Sequence, residues 1–471
     1  MKALDTEFGF GCGRPYFLMK ISSFFNKIFL NRYFSLFLFC LGSLVIVTKK
    51  EVLGAAIFVG IICMTLVLCE DILASALPFL ILCVFVTNCY GSYDTFIRYV
   101  WLAIPAVFSI LFHFIVYRRK IQIGSSFLGV VLVALALMLG GIGVLSPKEY
   151  FAPGTLYYTL GLGIGMVVLY LLLKSQLCVK RSYDVQEKCL SLLYVMGIFS
   201  IVMVLFFISQ NTEYIHDNKM LPDWQPSNNI STVLMFALPC PFFFLTRSRV
   251  HVLSIFAMYG AILLTGSRSG FLMGTVELFC CIFIAAIWHK KFRFAYVCFG
   301  IGLLGLLYLF GEKILAFTAH VEIDNLINHE EARFKLIFRA KELFLQYPIL
   351  GHGLGYQGNV DLYNPVKGAM TWYHMMIPQV MASMGTVGIV AYVLQFVLQA
   401  RCVAVACIKN KGMEQRGLIL TLASSYVGVL LMSQVNPGLF CPLPYALLAV
   451  LIFALIDGKE GPLPFRIGKK H

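Results

Sequence analysis

Long apolar runs alternate with short polar strings along nearly the whole chain. Most runs approach the roughly 20 residues that a helix needs to cross the hydrocarbon core of a bilayer. Backbone groups inside lipid must be paired within the protein, so such runs form helices rather than irregular segments. The pattern therefore predicts an all-α fold, a polytopic bundle of membrane helices.

Fourteen runs qualify as candidate spans. They are 33–48, 52–69, 72–90, 99–117, 124–145, 155–173, 189–208, 231–246, 250–265, 271–288, 294–312, 375–400, 417–435 and 440–456. The predicted organisation has five parts, in this order: a cytoplasmic N-terminal segment (1–32), transmembrane helices 1–11 (33–312), an extracytoplasmic loop (313–373), transmembrane helices 12–14 (374–456) and a cytoplasmic tail (457–471).

The basic residues predict the orientation of these spans. With the N-terminus in the cytoplasm, 25 of the 37 Lys and Arg residues fall on that side, as the positive-inside rule requires. Lys49 and Lys50 are the local exception. The formal net charge of +14 is thus mostly a consequence of topology and does not indicate nucleic-acid binding. The same orientation places Arg268 and the loop from about 311 to 373 outside.

Composition supports the membrane assignment and argues against a cofactor. The chain has 471 residues, 59% of them hydrophobic and 13% charged, with a mean hydropathy of +0.83. The fifteen cysteines lie mostly inside apolar runs and none lies in the long outer loop, which argues against disulfides and a metal cluster. No cleavable signal peptide is recognisable. Met19 is an alternative to Met1 as the start.

A short hairpin, "TGSRSG", carries Arg268 between two apolar runs. Arginine offers a planar, permanently charged fork of donors that suits phosphate oxygens. The alternative is that Arg268 caps the turn and binds lipid headgroups. The position on the outer face is compatible with both interpretations.

The long outer loop contains a second group of candidates. Its segment "NHEEARFKLIFRAKELFLQYPILGHGLGYQGN" predicts a helix over about 330–345 that ends before Pro348. We expect its apolar face to comprise Phe334, Ile337, Phe338, Leu343 and Phe344. Arg333 and Arg339 are candidates for anion binding. They can equally belong to a solvated face or pair with Glu330, Glu331 and Glu342.

Two histidines flank the end of this loop. His352 lies in the glycine-rich stretch "GHGLGY", which predicts a turn. His374 opens the next apolar run, and its imidazole can exchange a proton near neutral pH. The alternative for His374 is an interfacial anchor beside Trp372 and Tyr373.

These residues indicate chemistry on an activated substrate. We assume that ATP is scarce on the outer face, so a substrate there must already carry its leaving group. A lipid-linked pyrophosphate meets this condition, and arginines can balance the charge of the departing pyrophosphate without a metal. Glu277 is the one acidic residue well inside a predicted span. Either it has a function or it bonds to a neighbouring helix.

The order of these motifs resembles a known family. A "TGSRSG" hairpin, a long outer loop with arginine before "YPILGHGLG", and a histidine before "SMGTVGIV" resemble the O-antigen ligase and O-antigen polymerase superfamily. The resemblance covers about residues 230–400. It implies a glycosyltransferase of the bacterial cytoplasmic membrane with around twelve spans, so the expected number lies between about twelve and the fourteen candidates. The implied donor is a glycan on undecaprenyl pyrophosphate, and the implied acceptor is a glycan or glycolipid.

The resemblance also implies roles for particular residues. Arg268 and Arg333 would bind the donor pyrophosphate, with Arg339 as a third candidate, and His374 would act on the acceptor hydroxyl. The chain departs from the family pattern after this histidine. Met375 stands where the family commonly has asparagine, and Ser383 where it has an acidic residue.

Several alternatives stay open at this level. Ligase and polymerase share the donor and differ only in the acceptor. A polysaccharide flippase or transporter would have charged residues lining its spans, and its sequence would contain internal repeats. A membrane protein without activity is a third class. Trp224, Tyr356 and Trp372 can stack on sugars or form an interfacial belt.

Overall fold

The computed structural model describes residues 16–88, 101, 103–117, 123–145, 154–177, 181, 183–210, 227–319, 323–355, 372–436, 438–440 and 444–460. In these residues all regular structure is helical, and six helices are long and apolar enough to cross a membrane, or seven if one bent pair is a single span. The predicted all-α membrane bundle is confirmed. The count of fourteen spans, their orientation and the five-part division stay predictions.

The first half of the chain contributes nine α-helices among the described residues. They are α1 (Tyr16–Phe29), α2 (Arg32–Thr48), α3 (Glu51–Leu68), α4 (Ala76–Asn88), α5 (Ala103–Val116), α6 (Phe127–Ala136), α7 (Gly154–Leu160), α8 (Met166–Leu177) and α9 (Val185–Ser209). A π-helical turn, Leu137–Gly141, extends α6, and a second, Gly161–Gly165, joins α7 to α8.

The second half carries the candidate site. Its helices in the described residues are α10 (Ser227–Ala237), α11 (Cys240–Phe244), α12 (His251–Leu264), α13 (Arg268–Trp288), α14 (Arg293–Ala319), α15 (Ile323–Gln346), α16 (Met376–Lys409), α17 (Met413–Met432) and α18 (Pro444–Glu460). The break between α10 and α11 falls at Pro239, which removes a backbone donor from the helix.

Close packing fixes the relative direction of the helices around the site. On α17, Gly417 lies against the ring of Trp288 of α13, and Gly428 lies against the Glu277 carboxylate, so α13 and α17 are antiparallel. The first N–H of α16, from Met376, bonds to the carbonyl of Ser433 just after α17 (2.8 Å). The start of α13, the end of α17 and the start of α16 therefore share one end of the bundle. We call it the outer end, after its predicted orientation.

The opposite, inner end is held by ion pairs. The Arg181 guanidinium binds both carboxylate oxygens of Asp71 (2.7 and 2.9 Å), and both side chains are mostly buried. Lys459 pairs with Asp184 at 2.8 Å. Buried, bidentate pairs fix geometry strongly, because losing one partner leaves the other charge uncompensated.

A buried carboxylate joins four helices at this inner end. Asp457 of α18 is fully buried and accepts hydrogen bonds from Ser126 Oγ, Tyr170 OH and Cys402 Sγ. These donors come from the start of α6, from α8 and from α16. The network therefore fixes α18 in the bundle.

Asp457→Ala should destabilise the folded protein by about 3 kcal/mol, because three buried donors lose a charged acceptor. Asp457→Asn should lose less, since an amide oxygen still accepts. Thermal unfolding of the purified protein in detergent measures both. An Asp457→Ala variant as stable as the unmodified protein would show that the network contributes nothing.

Candidate functional site

The hairpin before α13 presents Arg268 at the outer end. Gly266 adopts a positive φ of 69°, which makes the tight turn. Ser267 caps the helix, since its hydroxyl accepts from the N–H of Gly270 at 2.9 Å. Arg268 follows as the first helical residue and is half-buried. Its charge thus adds to the partial positive charge of the helix N-terminus.

Helix α15 packs on the start of α16 and covers the outer end. The contact is made by Leu336, Ala340 and Leu343, which are buried against Tyr373 and Ala382. The predicted helix and its end before Pro348 are found, but the helix begins at Ile323 rather than near residue 330, and the predicted apolar face is partly wrong. Phe338 is 63% exposed. The helix carries two apolar stripes. The stripe that contains the small Ala340 allows α15 to approach α16 more closely.

The structure describes the side chain of only one of the two candidate arginines of α15. Arg333 lies on the described helix, but its side chain lies outside the described residues. Arg339 is about one-third exposed and pairs with Glu342 at 3.1 Å. Pairing with Glu342 is one of the two alternatives to anion binding that the sequence leaves open. Exposed pairs of this kind contribute little stability.

The loop after α15 inserts into a break in α16. Helix α16 is interrupted at Gly385. There the N–H groups of Thr386 and Val387 do not bond to the carbonyls of Ala382 and Ser383, as they would in a continuous helix. Residues 348–354, which we call the docked loop, supply all the partners instead.

Four backbone hydrogen bonds join the docked loop to the break. The N–H groups of Thr386 and Val387 donate to the carbonyls of residues 348 and 349 (2.7 and 3.2 Å). In return, the N–H groups of residues 352 and 353 donate to the carbonyls of Ala382 and Ser383 (2.7 and 2.9 Å). The motifs "YPILGHGLG" and "SMGTVGIV" are therefore one structural unit.

Glycines make this approach possible. Gly385 has φ 59° and ψ −152°, a conformation essentially restricted to glycine. A Cβ there would lie 2.6 Å from the backbone of Ile349. At Gly140, in the π-helical turn after α6, a Cβ would lie 2.4 Å from the Leu350 carbonyl oxygen. The docked loop is thus enclosed by α16 and α6.

His352 is a buried part of this loop. It is 3% exposed and packs edge-on against the Tyr347 ring, with centroids 4.3 Å apart. Burial, followed by the charge of Arg339, lowers the pKa of His352 to about 4. The imidazole is therefore neutral at pH 7.

His374 occupies an unusual backbone position at the start of α16. Its φ is 53°, a left-handed conformation that is uncommon for a residue other than glycine. The preceding Tyr373 is buried against α15, and its N–H donates to Gln379 Oε1 at 3.0 Å. The amide of Gln379 donates in turn to Ser383 Oγ at 2.8 Å. Ser383, the position where the family commonly has an acid, thus supports the segment that holds His374.

The structure brings the candidates toward the end of α17 from two sides. His374 lies two residues before Met376, which bonds to Ser433. The antiparallel register of α13 and α17 leads Arg268 toward the turn that follows Ser433. Arg339 lies on α15, which packs on the start of α16. Trp372 contacts Tyr158 of α7, with ring centroids 5.0 Å apart. The other two aromatic candidates, Trp224 and Tyr356, lie outside the described residues.

Glu277 lies apart from these residues, deep in α13. It is 1% exposed, and its two carboxylate oxygens have no hydrogen-bond partner among the residues that the structure describes. The expected alternative of a bond to a neighbouring helix is therefore not seen in this part of the chain. Its contact with Gly428 shows instead that α17 needs a glycine at this point.

Sequence reasoning missed the polar residues of α10. Asn228 and Ser231 contact the hairpin that holds Arg268. Their signal was the polar string "SNNIS", which begins α10 at its predicted outer end.

The chain is thus a multi-pass helical membrane protein with arginines and a histidine at one end of the bundle. A sequence model described as O-antigen ligase matches residues 253–393. The match runs from α12 through the Arg268 hairpin, α15 and the docked loop into α16. It confirms the resemblance to the O-antigen ligase and polymerase superfamily, which is associated with glycosyltransferase activity. Searches of curated proteins and of solved structures found no match.

Gly385→Ala should release the docked loop, because a Cβ clashes with Ile349 and the backbone conformation is strained by about 1–3 kcal/mol. Hydrogen exchange of the amides of residues 352–354 should become at least tenfold faster. Gly302→Ala in α14 is the matched control, since a Cβ there meets nothing within 4 Å. Unchanged protection in Gly385→Ala would contradict the docking.

Acidification should also weaken this docking. His352 takes up a proton near pH 4 when folded and near 6.5 when unfolded, so stability is full above about pH 6.5. It should fall as the pH drops toward 4, by up to about 3 kcal/mol. Unfolding measured from pH 7.5 to 4 should show a smaller loss in His352→Gln. Equal losses in both proteins would contradict the prediction.

Proposed function

We propose that this protein is a bacterial cytoplasmic-membrane glycosyltransferase of the O-antigen ligase or polymerase type. It transfers a glycan from undecaprenyl pyrophosphate to an acceptor hydroxyl on the outer face of the membrane. The observation that carries the proposal is the coincidence of the family match with the hairpin, α15 and the docked loop. The match covers the part of the fold that collects the candidate residues.

The donor chemistry follows from Arg268 and the helix that it begins. A pyrophosphate leaves more easily when its negative charge is balanced, and a guanidinium at a helix N-terminus combines two positive contributions. Arg268 and Arg333 hold the pyrophosphate in this proposal, with Arg339 as a third contact. Such preorganised charge commonly provides the largest part of catalysis.

His374 acts on the acceptor. The acceptor oxygen attacks the anomeric carbon, the bond from that carbon to the pyrophosphate oxygen breaks, and the hydroxyl proton passes to the imidazole. The strained backbone of His374 supports this role, since such conformations cluster at functional sites. The contacts of Tyr373 and Met376 hold the segment on both sides.

The glycan made by a deletion strain distinguishes a ligase from a polymerase. Loss of a ligase leaves polymer on the lipid carrier and none on the acceptor. Loss of a polymerase leaves single repeats. Lipid-linked precursor retained inside the cell would favour the flippase alternative.

Arg268→Ala and Arg333→Ala should each reduce transfer from the lipid-linked donor by about 100- to 1,000-fold, with insertion and folding intact. Lysine should restore activity only in part, because a point charge does not reproduce bidentate contact. Transfer of donor purified from the deletion strain measures the effect. Lys341→Ala, an exposed cation on α15, is the matched control. Unmodified activity in both arginine variants would identify the two as headgroup anchors.

His374→Ala should lose about 10²- to 10⁴-fold in turnover while it still binds undecaprenyl pyrophosphate, because the arginines remain. His374→Gln should keep part of the activity if the imidazole only orients the hydroxyl. Turnover and binding are measured separately on the purified variants. Full turnover in His374→Ala, or an equal loss of binding, would leave this histidine as an interfacial anchor.

A further inference from the structure

The hairpin that carries Arg268 is hydrogen-bonded to a neighbouring helix, α10. Ser267 Oγ donates to the side-chain oxygen of Asn228 on α10 at 2.5 Å. The same hydroxyl accepts from the N–H of Gly270, so it caps α13 at the same time. One serine thus connects the first turn of α13 to α10.

A second pair of hydroxyls supports the other side of the turn. Thr265 Oγ1 lies 2.7 Å from Ser231 Oγ of α10, and it also accepts from the N–H of Ser267 at 3.2 Å. Ser231, Thr265 and Ser267 are all at most 3% exposed. A Cβ at position 270 would lie 2.6 Å from Ser231 Oγ. The two helices are therefore in close contact at this level.

This network has a particular consequence for Arg268. The residue follows Ser267 directly, so the bonds that fix Ser267 also fix the starting point and direction of the arginine side chain. Without α10, the turn would depend on Gly266, whose backbone is intrinsically permissive. A displacement of about 1 Å at a group that binds a reacting substrate can cost 10²-fold in rate.

We propose that Asn228 and Ser231 are positioning residues for the pyrophosphate-binding hairpin. They hold Ser267 and Thr265 so that Arg268 and the N-terminus of α13 face the donor together. This inference rests on the proposed function. Asn228 is the more informative of the two, because its bond ends on the capping hydroxyl itself.

The test is a double-mutant cycle in which the affinity for the donor is measured. Asn228→Ala and Ser267→Ala should each weaken the binding of undecaprenyl pyrophosphate and raise the donor KM by about tenfold, while the acceptor KM stays unchanged. The double variant should lose no more than Ser267→Ala alone, because the Asn228 bond ends on the Ser267 hydroxyl and is already lost in that variant. Ser267→Thr should restore binding, since threonine also caps helices.

The matched control lies deeper in the bundle, between the two helices that the hairpin joins. Tyr259 of α12 and Thr275 of α13 share a hydrogen bond of 2.7 Å. Thr275→Val removes it, so this variant should affect stability at that interface and leave the donor KM unchanged. A purely structural role for Asn228 would make Asn228→Ala behave like Thr275→Val.

Asn228→Asp separates positioning at a donor site from simple stabilisation. A negative charge beside the N-terminus of α13 favours the helix, so the thermal stability should be equal or higher. The same charge repels a pyrophosphate, so the donor KM should rise. Equal donor KM in Asn228→Asp and the unmodified protein would overturn the inference.

The outcomes also separate this inference from the proposed function. If Arg268→Ala leaves undecaprenyl pyrophosphate binding intact, the proposed donor site is wrong and the inference falls with it. If Arg268→Ala loses binding while Asn228→Ala keeps it, only the positioning role is wrong. Additive losses in the double variant would likewise contradict a shared bond.

Discussion

The four backbone hydrogen bonds between the docked loop and the break in α16 are the constraint on which the candidate site depends. A helix interrupted near lipid leaves N–H and C=O groups that must find partners within the protein. Each bond contributes only about 1 kcal/mol net, but a buried group without a partner costs more. The break and the loop therefore stabilise one another, and both require Gly385.

This constraint connects parts of the chain that are distant in sequence. The docked loop fixes the end of α15, whose buried face holds Tyr373, the neighbour of His374. On the other side, α17 receives the start of α16 at Ser433 and runs antiparallel to α13, which begins with Arg268. The groups that we propose to bind the donor and to activate the acceptor are thus positioned by separate supports. The inner end is secured independently by Asp457 and the ion pairs.

The sequence predicted the class of fold because apolar length and basic asymmetry depend on the membrane rather than on tertiary detail. It also predicted α15 and its end at Pro348. It did not predict the break at Gly385, since "SMGTVGIV" reads as a continuous apolar helix and the partners of its backbone lie some 35 residues earlier. The predicted buried face of α15 was partly wrong, because the helix carries two apolar stripes that could each pack against α16. Asn228 was missed because its role depends on a contact with α13.

A structure determined with bound undecaprenyl-pyrophosphate-linked donor tests the central claim most directly. The account predicts that the two phosphates lie at the outer end of the bundle, within hydrogen-bonding distance of the Arg268 guanidinium and the first N–H groups of α13, with the sugar toward His374. Phosphates bound at the inner end, beside Arg181 or Lys459, would contradict it.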